Sequence, residues 1–128
     1  MIELELQQGK PRNPFINSGA LRVTDLLRSR FVQMEMAVVN FARILSQNHA
    51  VTYDLDVANG EIKNASRIRS AAYLMQSFGL LDNSVEDVVE ASCKQCARKM
   101  SCVDLAKTTL FYATGGDHLI TNPASLNS

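Results

Sequence analysis

The chain has 128 residues, which is the size of one domain with a buried core. Apolar residues make up 46% of it and charged residues 20%, proportions that exclude a wholly disordered chain. Its 13 basic and 13 acidic residues give zero net charge, so no overall field attracts nucleic acid or an anionic membrane. No apolar run approaches the roughly 18 residues needed to span a bilayer, and no signal peptide opens the chain. We therefore expect a cytoplasmic protein without a membrane partner.

A proline-rich segment near the start of the chain is its most informative part. Pro11 and Pro14 each fix the backbone φ angle and disfavour a helical conformation for the residue before them. The sequence therefore predicts a rigid loop here. Asn17 or Ser18 is predicted to be the N-cap of a helix whose apolar residues begin at Ala20. A rigid loop that leads into a helix can aim a side chain.

Apolar residues recur with helical spacing through most of the chain after residue 18. Together with the helix that follows the loop, four such stripes predict about five helices in a single, mainly α-helical domain spanning residues 1–128. The stripes are Met34, Ala37, Val38, Phe41, Ala42 and Leu45; Ala65, Ile68, Ala72 and Met75; Val85, Val88, Val89, Ser92 and Cys96; and Leu105, Ala106, Thr109, Leu110 and Ala113. Each stripe is interpreted first as a face that packs in the core.

Glycine and serine residues mark where these helices begin and end. The third helix is predicted to end at Phe78 with Gly79 as its C-cap residue, and Gly115 with Gly116 to stop the last helix. Ser84 and Ser101 are each followed three residues later by an aspartate, a spacing that predicts capping boxes at the starts of two helices.

Strand signals are weak and lie at the two ends of the chain. Residues Ile2 to Leu6 alternate between apolar and acidic side chains, which predicts a short strand within a loop region covering residues 1–17. His118 to Thr121 is a second candidate strand. Residues 122–128 contain small and polar side chains and are expected to fray.

Three cysteines, Cys93, Cys96 and Cys102, are an odd number in a chain without a secretory signal, which favours reduced thiols. The Cys-Lys-Gln-Cys spacing suits a zinc site or a redox pair. However, both cysteines lie within a helical pattern, and His49 and His118 are far away in sequence. We interpret the thiols as structural and expect neither a metal nor a cofactor.

Beyond these patterns, the segment Asn-Pro-Phe-Ile-Asn-Ser-Gly-Ala that begins at Asn13 resembles the Asn-Pro-hydrophobic-Ile-Asn-Ala-Gly-Ala signature of bacterial and mitochondrial glutaminases. These enzymes hydrolyse L-glutamine to L-glutamate and ammonia. Further blocks follow in the order and spacing of that family, from about residue 3 to residue 116. They are Tyr53-Asp54, Glu61, Arg67, Ala72-Tyr73-Leu74-Met75, Ser77-Phe78-Gly79, Cys96-Ala97 and the run from Lys99 to Ala106.

The resemblance implies a fold similar to that of serine β-lactamases, transpeptidases and other penicillin-binding proteins. In that fold the two ends of the chain make an α/β part and the middle makes a helical part. This chain resembles the helical part, with the sheet-forming ends absent. None of its serines has a lysine three residues later, so the Ser-x-x-Lys nucleophile motif of the family is missing. The resemblance therefore implies no catalytic residue in this chain, and no activity of the chain alone.

Two residues match substrate-binding positions of the family. Asn17 matches an asparagine that binds the substrate, and Glu61 matches an acidic residue that faces the α-amino group of the substrate. Each residue also has a purely structural interpretation. Asn17 could serve only as a helix N-cap, and Glu61 only as a carboxylate in a first helical turn.

Two other positions depart from the family pattern. Ile68 stands where the family has an asparagine after arginine, and Ser92 stands where it has a tyrosine. An aliphatic side chain cannot hydrogen-bond, and a serine is too short to reach where a tyrosine hydroxyl lies. Each lost hydrogen bond typically costs ~1–3 kcal/mol, so both changes are expected to weaken glutamine binding.

Three hypotheses follow from the sequence. The first is an internal helical segment of a glutaminase, inactive alone, which associates with itself or with the missing glutaminase halves, because family members form homo-oligomers. The second is a non-catalytic interaction module derived from the glutaminase scaffold, which Ile68 and Ser92 favour. The third is a helical nucleic-acid binder, against which the zero net charge argues. It depends only on Lys63, Arg67, Arg69, Arg98 and Lys99.

Overall fold

The computed structural model describes residues 2–116. This part of the chain contains seven helices and one two-stranded antiparallel sheet. The helices are α1 (Ile2–Leu6), α2 (Asn17–Arg30), α3 (Met34–Ser46), α4 (Leu55–Lys63), α5 (Ser66–Ser77), α6 (Val85–Cys96) and α7 (Cys102–Ala113). The strands are β1 (Thr52–Tyr53) and β2 (Arg98–Lys99). No helix within residues 2–116 is both long enough and apolar enough to cross a bilayer.

The predicted mainly helical fold is confirmed, with seven helices rather than about five. The two additional helices are α1 and α4. Helix α4 is nine residues long, and Ala58 is its one buried residue. Its start is defined locally, because the Asp54 carboxylate accepts hydrogen bonds from the backbone N–H groups of Asp56 and Val57 at 3.0 and 3.2 Å.

The strand predicted at Ile2 to Leu6 is wrong, because these residues form helix α1. Their alternation does not produce one buried face, since Leu4 is buried whereas Leu6 is 80% exposed. The helix ends at a turn in which the backbone N–H of Gly9 donates to the carbonyl oxygen of Leu4 at 2.8 Å. The second predicted strand at His118 to Thr121 and the predicted frayed tail at 122–128 lie outside the described residues.

The predicted helix boundaries are largely confirmed after residue 78. The C-cap of α5 is Phe78, one residue before the predicted Gly79, which follows it with a φ of 72°. At the start of α6 one of the two bonds of the predicted capping box is present, in which the Ser84 hydroxyl accepts a hydrogen bond from the backbone N–H of Asp87. At the start of α7 both bonds of the predicted capping box are present, each 3.1 Å long, between Ser101 and Asp104. Local sequence signals therefore define these ends.

Helix α6 forms the centre of the core and packs on α2, α3, α4 and α5. The predicted buried faces of α5 and α6 are confirmed at positions such as Ala72, Met75, Val88 and Val89, all completely buried. The stripe predicted on α7 is not buried. All five of its residues are exposed, and the buried residue of this helix is Asp104. Helix α7 packs mainly on α3, so one narrow side of it is covered.

Candidate functional site

A groove of about 470 Å³ lies between α1, the loop that follows it, the start of α2, and α5. Its polar and apolar lining includes Glu3, Arg12, Asn17, Ser18, Arg67 and Ile68. The groove therefore brings together two of the predicted site positions, Asn17 and Ile68, which are 51 positions apart in the sequence. This groove is the candidate site.

The proline-rich loop is held against the first turn of α2 by a close backbone approach. Gly19 is buried, and a Cβ atom at this position would lie 1.8 Å from the carbonyl oxygen of Asn13. The Asn13 side chain in turn accepts a hydrogen bond from the backbone N–H of Phe15 at 2.9 Å, which closes a tight turn. A residue without a side chain at position 19 is thus required for this loop conformation, which brings Asn17 to the groove.

The predicted capping role of Asn17 or Ser18 is wrong. Helix α2 begins at Asn17, and its N-cap is Ile16, which makes no side-chain capping hydrogen bond. Ile16 has an extended backbone, with φ −88° and ψ 160°, and the helix starts at the next residue, one position earlier than it would with Asn17 as its N-cap. Asn17 is exposed at the groove. Its amide is therefore not used as the N-cap of α2.

A buried carboxylate fixes α2 relative to the turn between α5 and α6. Asp25 is completely buried and accepts hydrogen bonds from the backbone N–H groups of Asp82 and Asn83 and from the Asn83 side chain, at 2.9–3.1 Å. The Arg22 guanidinium lies 2.6 Å from the same carboxylate and also donates to the Leu80 carbonyl oxygen. These bonds fix the axis of the helix that carries Asn17.

The pKa of the Asp25 carboxyl is set by two opposing effects. Burial alone would raise it, because a charged group loses its hydration. The hydrogen bonds from Asn83 and Asp82, with the positive charge of Arg22, outweigh burial and lower the pKa below its usual value. Asp25 is therefore ionised in the folded protein at neutral pH, and its charge is satisfied within the structure.

Two arginines give the groove its charge. Arg12 forms an ion pair of 2.8 Å with Glu3, and both side chains are more than half exposed. Arg67 is exposed on α5 and, within residues 2–116, has no carboxylate within salt-bridge distance. A small zwitterion that carries a carboxylate and an amide would find complementary groups in Arg67 and Asn17.

The glutaminase family model matches residues 1–128, which is the whole chain. This chain belongs to the glutaminase family. It is 53% identical over 116 residues to a glutaminase of Ralstonia nicotianae, a match that covers 91% of this chain and 38% of that protein. It is 47% identical over 128 residues to a glutaminase of Paraburkholderia phytofirmans, of which it covers 42%. The chain therefore spans about two-fifths of the length of these relatives.

Solved structures give the same relationship. The crystal structure of a probable glutaminase from Bacillus subtilis matches 91% of this chain with a TM-score of 0.82 and 30% sequence identity, over 38% of its own length. The crystal structure of Mglu in its native form matches 94% of this chain with a TM-score of 0.77 and 28% identity, over 30% of its own length. The helical fold described above is thus shared with part of these larger proteins.

Ile68 stands where the resemblance to glutaminases implies an asparagine. It lines the groove and is half-buried. Its side chain packs against the hydrophobic cluster that includes Ala72, Met75 and Val89. An asparagine here would face the same groove from α5. The observed isoleucine instead extends the core to the edge of the groove.

The other two predicted glutaminase positions, Glu61 and Ser92, do not line the groove. Glu61 is exposed in the last turn of α4, and the acidic residue in the first turn of that helix is Asp56. The interpretation of Glu61 as a first-turn carboxylate is therefore wrong. Ser92 is half-buried on α6, directly before Cys93. Asn17 and Ile68 meet at one groove, and Glu61 and Ser92 lie on other elements.

The thiols of this glutaminase chain are free: Cys93 is buried, and Cys96 and Cys102 are exposed. Burial raises the pKa of the Cys93 thiol, the neighbouring Cys96 and Glu61 side chains raise it further, and the positive charge of Arg69 opposes them. Cys93 is therefore protonated at neutral pH and a poor nucleophile. No group of three potential metal ligands is found within residues 2–116.

Sequence reasoning did not identify Glu3 and Arg12 as groove residues. Glu3 lies in a segment that was predicted as a strand, and the ion pair between these residues depends on the helical form of α1. Five residues that alternate between apolar and acidic side chains are compatible with a strand or a helix, so this local pattern does not predict the groove.

Proposed function

We propose that this chain is the helical part of a glutaminase and that, with the remainder of the protein, it hydrolyses L-glutamine to L-glutamate and ammonia. The observation that carries this proposal is the groove at which Asn17 lies, in a chain that the glutaminase family matches from residue 1 to residue 128. On this proposal, the chain is an internal segment of a glutaminase. Its contribution is to bind and orient the substrate.

On this proposal, different residues of the chain bind different chemical groups of the substrate. The Asn17 amide both donates and accepts hydrogen bonds, as recognition of an amino-acid substrate requires. The Arg67 guanidinium at the groove is available to a carboxylate. The proposal assigns Glu61 to the α-amino group from the resemblance to the family alone, because Glu61 does not line the groove. The nucleophile and its activating lysine come from outside this chain, because no serine here has a lysine three residues later. No metal or cofactor is part of the proposal.

The packing of Ile68 supports a second candidate function. A glutaminase-derived module without catalytic demand can fill a former binding position with an apolar residue, and Ile68 both lines the groove and extends the core. On this proposal the chain binds a protein partner, either a second copy or other glutaminase segments, and glutamine is not its substrate.

A chimeric enzyme separates the two candidates. The matched segment of the Ralstonia nicotianae glutaminase is replaced by this chain, and ammonia release from L-glutamine is measured for the chimera and for the isolated chain. We expect turnover by the chimera and none by the isolated chain. Asn17→Ala should lower kcat/KM of the chimera about tenfold or more, which corresponds to the loss of one or two hydrogen bonds.

The control is Asn59→Ala, the same substitution at an exposed position of α4 outside the groove, which should leave kcat/KM unchanged. Equal effects of the two substitutions would contradict the role of Asn17. A chimera that is folded by circular dichroism but inactive would instead favour the non-catalytic module.

A further inference from the structure

Two arginines of α5 differ in their partners, although they are only two residues apart. Arg69 is bound within the chain, because its guanidinium lies 3.0 Å from the Glu86 carboxylate and donates to the Ile62 carbonyl oxygen at 2.8 Å. Arg67 is exposed at the groove and, in the part of the chain that the structure describes, forms no ion pair. Helix α5 therefore presents to the groove one guanidinium that can bind an external anion.

The other charged side chains of the groove neutralise each other. Arg12 and Glu3 form an ion pair of 2.8 Å, so the lining carries one net positive charge, that of Arg67. The first turn of α2 adds a partial positive charge, because its N-cap, Ile16, makes no side-chain capping hydrogen bond. The electrostatic complement of this groove is therefore an anionic group.

The chemistry of glutamine shows which of its two ends Arg67 would bind. A guanidinium binds a carboxylate through two parallel, charge-assisted hydrogen bonds, which are about twice as strong as those to a neutral amide oxygen. Ile68 follows Arg67 on α5, and Ala71 lies one turn further along, so apolar groups adjoin the guanidinium. These apolar groups suit the methylene groups of glutamine, which lie between its carboxylate and its amide.

We propose that Arg67 binds the α-carboxylate of glutamine and thereby selects amides that carry a carboxylate at their other end. The α-carboxylate then lies at the start of α5, and the side-chain amide extends away from Arg67, towards the nucleophile that the remainder of the protein supplies. This inference rests on the proposed function, in which the groove binds glutamine. It does not depend on which residue pairs with the α-amino group.

A substrate without the α-carboxylate tests the proposal. γ-Aminobutyramide has the amino group and the amide of glutamine, with a hydrogen atom in place of the α-carboxylate. Ammonia release from both amides is measured for the chimera with the Ralstonia nicotianae glutaminase. Arg67→Ala should lower kcat/KM for L-glutamine about thirtyfold or more, and for γ-aminobutyramide less than about twofold. The loss should lie in KM, because the carboxylate is remote from the reacting amide and is bound equally in the ground and transition states.

Two further variants separate carboxylate binding from a structural role. Arg67→Lys keeps the charge without the planar fork, so its loss for L-glutamine should be smaller than that of Arg67→Ala. Arg30→Ala is the matched control, at an exposed position of α2 outside the groove, and should change neither kcat/KM. If Arg67 instead pairs with the remainder of the glutaminase, Arg67→Ala should lower kcat/KM for both amides by the same factor. Equal factors, or no loss for L-glutamine, would overturn the proposal.

A binding measurement applies if the chimera is inactive or does not fold, an outcome that contradicts the proposed function by itself. The isolated chain is titrated with each amide, and the side-chain Nε–Hε resonance of Arg67 is followed by NMR. A shift with L-glutamine and none with γ-aminobutyramide would support the role of Arg67. Equal shifts with both amides, or no shift with L-glutamine, would overturn it.

Discussion

The guanidinium of Arg22 lies 2.6 Å from the carboxylate of Asp25, one turn away on α2, and that carboxylate is completely buried. Asp25 also joins two parts of the chain that are 57 residues apart, through the backbone N–H of Asp82. A single buried acid therefore holds the helix of the candidate site against the turn between α5 and α6.

Replacement of Asp25 by alanine should strongly destabilise the isolated chain. The change leaves the N–H groups of Asp82 and Asn83 and part of Arg22 without their acceptor, and breaking a buried pair in this way costs about 3–5 kcal/mol. Urea unfolding followed by circular dichroism measures the loss. Asp82→Ala is the control, because its side chain is 66% exposed and its ion pair with Arg22 is 3.4 Å long, so a loss below about 1 kcal/mol is expected. Similar losses for both variants would contradict the proposed importance of Asp25.

The stability of the chain should fall at acidic pH because of the same carboxyl. The folded-state pKa of Asp25 is lower than that of an unfolded aspartate, which is about 3.9. Its ionised form therefore stabilises the folded state fully above the unfolded pKa, and this contribution is lost as pH falls through the folded pKa. The Ser101 backbone N–H is the main group that lowers the pKa of Asp104. Protonation of Asp104 should therefore also decrease the stability of the folded state at acidic pH.

Free energies of unfolding measured between pH 7 and pH 3 check this prediction. The decrease should begin near pH 4 to 5 and steepen below it. In Asp25→Asn, which is expected to be less stable at pH 7, the decrease should be smaller because that position no longer titrates. An equally steep decrease in Asp25→Asn would show that other carboxyl groups are responsible.

Two glycines should respond in opposite ways to the same substitution. Gly19→Ala places a methyl group where the Asn13 carbonyl oxygen lies at 1.8 Å, so the loop must move, at a cost of about 2 kcal/mol or more. Gly60→Ala, inside α4, has no atom within 4 Å of the new methyl group and should stabilise the chain by about 0.5–1 kcal/mol. Both values come from chemical unfolding. Stabilisation by Gly19→Ala would mean that the loop is not held in the observed conformation.

Restoring the family residues should raise the activity of the chimera. Ile68→Asn returns a polar side chain to the groove, and Ser92→Tyr returns the longer side chain that the resemblance to the family implies on α6. If each contributes about 1 kcal/mol or more to substrate binding, kcat/KM should increase at least about tenfold. Glu61→Ala in the repaired chimera should remove most of that gain, because the α-amino group loses its counter-charge. The measurement is steady-state ammonia release.

The control for the repair is Ile62→Asn. Ile62 is half-buried and packs against the same hydrophobic cluster as Ile68, but it does not line the groove. This variant should lose comparable stability and gain no activity. If the repaired chimera folds but gains nothing, or if Glu61→Ala has no effect, the proposed site is wrong.

The sequence predicted those elements whose cause is local. The capping box at Ser101 and Asp104 involves residues three apart, and the buried faces of α5 and α6 follow from helical spacing alone. The sequence also contains the apolar stripe of α7. Helical spacing shows that one face of a helix is apolar, but it does not show whether another element covers that face. Five residues at Ile2 to Leu6 were too few to separate a strand from a helix.

The candidate site was predicted only in part, because its geometry depends on distant contacts. Asn17 could be named from its block of sequence, whereas its position at the groove depends on the approach of Gly19 to Asn13 and on the bonds of Asp25. Arg12 lines the groove and forms an ion pair with Glu3, which no local pattern in the sequence predicts. Tertiary contacts of this kind leave no periodic pattern in the chain.

The short pair of β1 and β2 joins the two ends of a long helical stretch. Thr52 is paired with Lys99, and the backbone N–H of Asp54 donates to the Ala97 carbonyl oxygen at 2.8 Å, so α4, α5 and α6 form a closed loop. A stretch closed in this way tends to open as one cooperative unit, because its internal helices share a core and its ends are tied. In hydrogen exchange, amides of α4 to α6 should therefore exchange with a common opening free energy, and those of α7, which lies outside the loop, should exchange earlier.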